Sequence, residues 1–224
     1  MSYNLIAIYS SSPQQGKDTV SKIIQSIAAF PNAPDSYIAK GLSDFPRLPF
    51  EKIFLGSTEW KVKRFGDALK EMVQSHFPSE FSVEAWENGD ATYRNGIMPS
   101  LNKTRREVLQ GVGMKMREFD EDYWVKALFS GCKEEYFGDW GVGNHIYKLP
   151  KCIISDLRLP NEYLAIEERG GLLIKVVRSS AEKNDHESEN QLEDHFFHEV
   201  IMNDSTIEEL TEKVRVILNK YKII

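Results

Sequence analysis

The run "LIAIY" at residues 5–9, with a change of period a few residues later, constrains the fold more than any other stretch. Five apolar residues bounded by polar ones suit a strand buried on both faces. After Gly16, the residues Val20, Ile23, Ile24 and Ile27 fall at helical spacing, so a helix is expected over about Lys17–Ala29. The alternation then returns along the chain. "WKVKRF" (60–65) reads as a second strand, and "DALKEMVQSHF" (67–77) as an amphipathic helix ending before Pro78. "KCIIS" (151–155), "LLIKVV" (172–177) and "HEVIMN" (198–203) read as three more strands. A short helix is expected after Pro160, stopping near "RGG" (169–171). A last helix is expected after Ser205, with Glu208 at capping-box spacing from it. Strands alternating with helices predict an α/β fold with a doubly wound parallel sheet of about five strands.

The other segments carry weaker patterns. Residues 31–59 read as loop, with a short strand near Tyr37–Ala39. Residues 79–103 look turn-rich, and Thr104 precedes two helical stretches, "RREVLQGVGMKMREF" and "EDYWVKALFSGC". The glycines of "GDWGVGN" lack both the spacing and the preceding strand of a dinucleotide fingerprint, so a plain loop is expected there. No repeat and no linker divides the chain. The expectation is one domain, with a core drawn from 1–30, 60–77 and 150–224 and a helical part at about 79–131. A net charge of −6 argues against a duplex-DNA binder, while leaving room for a small polyanion in a locally basic cleft. Cys132 and Cys152 have neither disulfide-scaffold nor zinc spacing and suit a reducing compartment. No stretch approaches the roughly 20 apolar residues of a membrane span, and the first residues lack the regions of a signal peptide. A cytoplasmic protein without nucleic-acid or membrane partners is expected.

The first strand-to-helix junction reads "SSSPQQGKDTV" (10–20). It approaches the phosphate-binding pattern G-x-x-x-x-G-K-[ST], with Gly16 and Lys17 in place. Ser11 stands where the first glycine is usual and Asp18 where the hydroxyl is usual, with Thr19 one residue late. Serine serves the first position if its φ stays negative. The remaining parts are backbone N–H groups around Gly16, an open helix N-terminus and the Lys17 ammonium, which together make an anion site. Thr19 can bind phosphate through its hydroxyl and N–H. Asp18 either reaches a metal through water or favours the first helical turn by its charge.

A second acidic residue, Asp156, follows the buried run "CIIS". The carboxyl end of such a strand is where α/β folds place a group that organises Mg²⁺ or a substrate hydroxyl; helix capping is the alternative. Arg158 offers a planar fork that matches phosphate oxygens, against a surface ion pair with Glu162.

"GKDT", "FGDALKEM", "TRREVLQGVG", "DYWVKAL", "SDLRLPNE", "GGLLIKVVR" and "HESEN" occur in that order. Together they resemble the phage-type deoxynucleoside monophosphate kinases, P-loop enzymes of the adenylate-kinase-like class. The resemblance covers most of the chain from Leu5 to the final helix, with 31–59 and 132–150 the least matched. Gly-Lys-Asp-Thr is frequent in that family, so Ser11 is the only departure in the loop. The resemblance implies a fold of the P-loop NTPase type with a helical substrate-binding insertion and a lid. It implies transfer of the ATP γ-phosphoryl group to a deoxynucleoside monophosphate, with Mg²⁺ and a homodimer as further implications. The location would be the host-cell cytoplasm if the chain comes from a phage. Gly16, Lys17, Asp18 and Thr19 match the ATP phosphate loop. Leu69, Lys70, Arg106, Gly113 and Trp124 match acceptor-site positions, with Arg94 in "TYRNG" a weaker match. Asp156, Arg158 and Glu162 match the segment that holds the acceptor.

Phosphoryl transfer asks for in-line positioning and cations around the equatorial oxygens, which Lys17, Arg106 and Arg158 can supply and Lys70 and Arg117 can supplement. Solvated helix faces are the plain reading of Lys70 and Arg106. Trp124 lies in an apolar row with Val125 and Leu128, so core packing stands beside base stacking. Residues 178–190 are charged and aperiodic and would be the lid, from which Arg178 and Lys183 could reach ATP. "HESE" around His186 reads as a solvated loop. A P-loop kinase for another small phosphate ester, such as phosphomevalonate or dephospho-coenzyme A, and a non-catalytic nucleotide-binding protein are the competing functions.

Overall fold

The five expected strand segments pair into one sheet in the computed structural model, which describes residues 3–12, 15–46, 53–54, 58–89, 91–131, 135–137, 146–148, 151–179 and 191–224. The strands are β1 (Leu5–Tyr9), β2 (Lys61–Lys63), β3 (Cys152–Leu157), β4 (Leu172–Val177) and β5 (Glu199–Met202). Their order is β2-β3-β1-β4-β5, and every pair is parallel. The helices, in chain order, are α1 (Lys17–Ala29), α2 (Asp35–Asp44), α3 (Asp67–His76), α4 (Val83–Asn88), α5 (Ala91–Asn95), α6 (Arg105–Phe119), α7 (Tyr123–Gly131), α8 (Pro160–Glu168) and α9 (Ile207–Lys220). The chain divides into two units, Met1–Arg64 with Cys132–Ile224, and Phe65–Gly131. Helix α3 thus falls in the helical unit rather than in the sheet unit.

In the sheet unit, β1 is central: Ala7 lies opposite Ile154 of β3 and Leu173 of β4. Side chains alternate along a strand, so β1 supplies both faces. Ile6 and Ile8 pack with Val20, Ile23, Ile24 and Ile27 of α1 and with Leu210, Val214 and Leu218 of α9. On the other face, Tyr9 stacks on Phe197 at 5.2 Å between centroids, and Tyr163 of α8 meets Phe197 edge-on. Helices on both faces make the sheet doubly wound, as the alternating pattern predicts.

Three details depart from the sequence reading. The segment at Tyr37–Ala39 is part of helix α2, not a strand. Ile38, Ala39 and Leu42 are its buried residues, and Arg215 of α9 holds its start through Asp35 Oδ1 (2.7 Å) and the carbonyls of Pro31 and Ala33. The last helix is capped by Thr206, one residue after Ser205, and the Thr206 hydroxyl accepts the Glu209 N–H at 3.2 Å. An antiparallel hairpin pairs Glu135–Phe137 with Ile146–Lys148, and the glycine-rich loop at 138–145 lies outside the described residues.

The helical unit has its own core of Val73, Phe81, Met98, Val108 and Leu109, with Leu69, Trp86 and Val112 against it. The turn-rich stretch 79–103 contains α4, α5 and one strand of a two-residue hairpin, Ile97–Met98 with Lys103–Thr104. Thr104 begins α6 with the reciprocal cap its sequence suggests. Its hydroxyl accepts the Glu107 N–H at 3.1 Å, and Glu107 Oε2 accepts the Thr104 N–H at 2.8 Å. Thr104→Ala is expected to lower stability by about 1 kcal/mol. Urea unfolding checks this: the midpoint should fall with the slope unchanged.

Candidate functional site

The chain leaving β1 crosses to β2, on the far side of β3, while the chain leaving β3 crosses the other way to β4. The two connections diverge where Tyr9 lies beside Leu157. Open α/β sheets bind ligands outside the carboxyl ends of the strands at such a divergence. The "SSSPQQGKDT" segment and the Asp156–Arg158 segment both begin there.

Gly16 sits at φ 102° and ψ 13°, in the left-handed region that glycine adopts without strain. It is the N-cap of α1 and offers no side chain to the helix end. The first helical bond runs from the Val20 N–H to the Gly16 carbonyl at 2.9 Å. The N–H groups of Lys17, Asp18 and Thr19 thus lie in the first turn, ahead of that bond. Ser11 is not among the non-glycine residues with positive φ, so the missing first glycine asks for no strained backbone. Gly16, Lys17, Asp18, Thr19, Arg178 and Asn203 line one pocket of about 270 Å³. The four loop residues expected to hold ATP phosphates thus share a pocket with Arg178. Arg178 is fixed there by its Nε, which donates to the Asn203 carbonyl at 3.0 Å. The neighbouring Ser179 donates its N–H and hydroxyl to Asp204 at 2.7 and 2.6 Å, and these bonds, the hydroxyl's first, hold the Asp204 carboxyl below its usual range. Residues 180–190, most of the expected lid with Lys183 and His186, lie outside the described residues.

Further charge surrounds the loop. Asp18 is exposed and lies 3.7 Å from the Arg64 guanidinium at the end of β2. Burial pulls the Lys22 ammonium pKa down, Asp18 offsets part of that, and the Lys22 Nζ donates to the Pro46 carbonyl at 2.7 Å.

Asp156 lies inside β3, which runs on to Leu157, and is half-buried; Arg158 is exposed just beyond. The N-cap of α8 is Leu159, so capping does not account for Asp156. Glu162 is 4% exposed, and its Oε2 accepts the backbone N–H groups of Arg158 at 2.9 Å and Leu159 at 3.1 Å. This carboxylate shapes the turn that carries Arg158.

In the helical unit, Leu69, Gly113 and Trp124 come together. The Trp124 indole N–H donates to the Gly113 carbonyl at 3.1 Å, and a Cβ on Gly113 would lie 3.3 Å from Leu69 Cδ2. Trp124 is 3% exposed, which agrees with its packing reading. Lys70 is not on a solvated face. It is buried between Asp67, at 3.0 Å, and Glu87. Arg94 stacks over Trp86 at 5.4 Å and donates Nε and Nη2 to its carbonyl. Arg106 is exposed and donates to Asn95 Oδ1 at 3.2 Å. Asn203, which borders the Gly16 pocket, Arg64 beside Asp18, and Glu87 beside Lys70 were not singled out by the sequence. Asn203 carried one signal, its place at the carboxyl end of the last strand run.

Among the described residues, no helix is long and apolar enough to cross a membrane, and no three His, Cys, Asp or Glu side chains gather as a metal site. Comparison with curated proteins gives no significant match. A family model described as deoxynucleotide monophosphate kinase matches residues 93–214. The loop around Gly16 and Lys17 precedes the matched span. The span itself includes Arg94, Arg106, Gly113, Trp124, Asp156, Arg158, Glu162 and Arg178. A kinase family implies ATP as co-substrate. With more than half of its length matched, the chain belongs to the deoxynucleotide monophosphate kinase family and is a phosphotransferase with small-molecule substrates.

Proposed function

We propose that the protein transfers the γ-phosphoryl group of ATP to a deoxynucleoside monophosphate, releasing ADP and the deoxynucleoside diphosphate. The observation that carries this reading is the junction at Gly16, where a left-handed glycine, a helix start with no side-chain cap, Lys17 and Arg178 border one pocket. The N–H groups at the start of α1 would cradle the ATP phosphates, and Lys17 would place its charge on the oxygens that become more negative during transfer. Arg158 would grip the acceptor phosphate with two parallel N–H donors, on a turn held by Glu162. Asp156 would orient the acceptor from the end of β3. In the helical unit, Leu69, Lys70, Arg94, Arg106, Gly113 and Trp124 are assigned to acceptor binding, with Trp124 tied to Gly113 and Gly113 beside Leu69. Because Asp67 and Glu87 already flank Lys70, its role is to order this wall rather than to act as a spare cation.

Magnesium fits this site by its donor chemistry. The ion is carried by phosphate oxygens and water and needs only one or two protein oxygens. Asp18, exposed beside the loop, and Thr19 offer hard oxygen donors, and Asp156 offers another at the end of β3. When bound, the ion would neutralise charge on the β- and γ-phosphates.

A coupled assay of ADP release, run over the common ribo- and deoxynucleoside monophosphates, tests the proposal. ADP release is expected with at least one deoxynucleoside monophosphate, and only when the acceptor is present. A purified, folded protein that releases no ADP with any of them would overturn it.

A further inference from the structure

Asn203 closes β5 and is 4% exposed. Three hydrogen bonds meet at this residue. Its backbone N–H donates to the Val177 carbonyl at 2.8 Å, its carbonyl accepts Arg178 Nε at 3.0 Å, and its side-chain Nδ2 donates to the Gln15 carbonyl at 2.8 Å. The side chain also approaches the loop closely: a Cβ added to Gly16 would stand 2.3 Å from Asn203 Nδ2.

The Gln15–Gly16 peptide is trans. In a trans peptide the carbonyl and the following N–H point in opposite directions. The bond from Asn203 to the Gln15 carbonyl therefore fixes where the Gly16 N–H points. If that peptide turned over, the left-handed φ of Gly16 would change with it, and a carbonyl oxygen would replace an N–H donor in the loop. A carbonyl there repels a phosphate; an N–H binds it.

We propose that Asn203 is a positioning residue for the reaction: it locks the Gln15–Gly16 peptide in the orientation that presents the Gly16 N–H to a nucleotide phosphate, and ties that peptide to Arg178. The inference rests on the phosphate-loop reading given above. Asparagine suits the task because it is a neutral donor of the right length. Aspartate has the same shape, but its ionised form cannot donate and sets a charge beside the phosphates. Leucine has a similar volume and leaves the Gln15 carbonyl buried without its donor. Gln15 Oε1 is already buried with no hydrogen-bond partner among the described residues, so this stretch has little tolerance for a second loss.

The test compares wild type, Asn203→Asp and Asn203→Leu by steady-state kinetics over a range of pH, with melting temperatures taken with and without ATP. Asn203→Leu is expected to raise KM for ATP by roughly tenfold or more. It should also shrink the rise in melting temperature that ATP causes. Asn203→Asp should show the same defect at neutral pH. Its KM relative to wild type should fall as the pH is lowered toward the carboxyl's titration, because the protonated acid donates again. Lys17, Asp18, Arg178, Asp204 and Lys213 are the charged groups on the neighbouring elements, so the profile is read as a ratio to wild type. A purely structural role would lower the melting temperature while leaving KM for ATP and this pH trend unmoved, and that result overturns the proposal. If neither variant folds, the Gly16 backbone amide of the wild-type protein decides. A large shift of its resonance on ATP addition supports the proposal, and no shift overturns it. A wild-type protein that binds no ATP overturns the phosphate-loop reading as well, and so differs from failure of the Asn203 assignment alone.

Discussion

Lys17→Ala is expected to fold normally and to lose roughly 10²-fold or more in kcat. Lys17 begins α1 at the helix end that carries no side-chain cap, and it borders the pocket shared with Arg178. On the proposed reading an ammonium there would act where phosphate charge is redistributed, so its loss would weaken the transition state more than the bound ground state. The core beneath it is built from Val20, Ile23, Ile24 and Ile27, none of which the substitution touches. Circular dichroism and melting should therefore match wild type while single-turnover rates fall. A variant that turns over at the wild-type rate would remove Lys17, and with it the loop, from the mechanism.

The second large effect is expected at the end of β3, and it takes different forms at two residues. Arg158→Lys keeps the charge and loses the fork. It should cost about 1.5–3 kcal/mol of transition-state stabilisation, roughly 10- to 150-fold in kcat/KM for the monophosphate. Asp156→Asn keeps the shape and loses the charge. It should depress kcat and alter the dependence on Mg²⁺, while KM for ATP changes less. A helix-capping aspartate would tolerate asparagine, but the cap of α8 is Leu159, which leaves Asp156 without that ordinary role. Kinetics of both variants at several Mg²⁺ concentrations separate the two roles. Wild-type behaviour of Asp156→Asn would sink its assignment even in an active kinase.

The inner strands β1, β3 and β4 were legible because each centres on a short apolar run, as a strand buried on both faces has to, whereas the edge strands β2 (Lys-Val-Lys) and β5 are partly exposed. Helix α1 was legible to the residue, since Val20, Ile23, Ile24 and Ile27 mark its face and Gly16 its start. Helix α2 was not. Ile38, Ala39 and Leu42 give too short a period to separate helix from strand, and its start is set by Arg215, nearly the whole chain away. Helices α4 and α5 span six and five residues, too few for a period to show. The same limit applied to the site. Gly16 and Lys17 announce themselves through local spacing. Asn203 acts on Gln15 from 188 residues away, and no local pattern records such a bond.

The central place of β1 also bears on the order in which the protein can be built. Once residues 1–131 have left the ribosome, β1 and β2 exist, but β3 and β4, the two strands that flank β1, do not. The first strand made is thus among the last to be paired, and closing such distant contacts is slow. The helical unit, Phe65–Gly131, draws its core from within its own span and can assemble during that interval. Until β3 and β4 arrive, "LIAIY" is an apolar strand with two open edges, the kind of segment that chaperones hold and that aggregates when they do not.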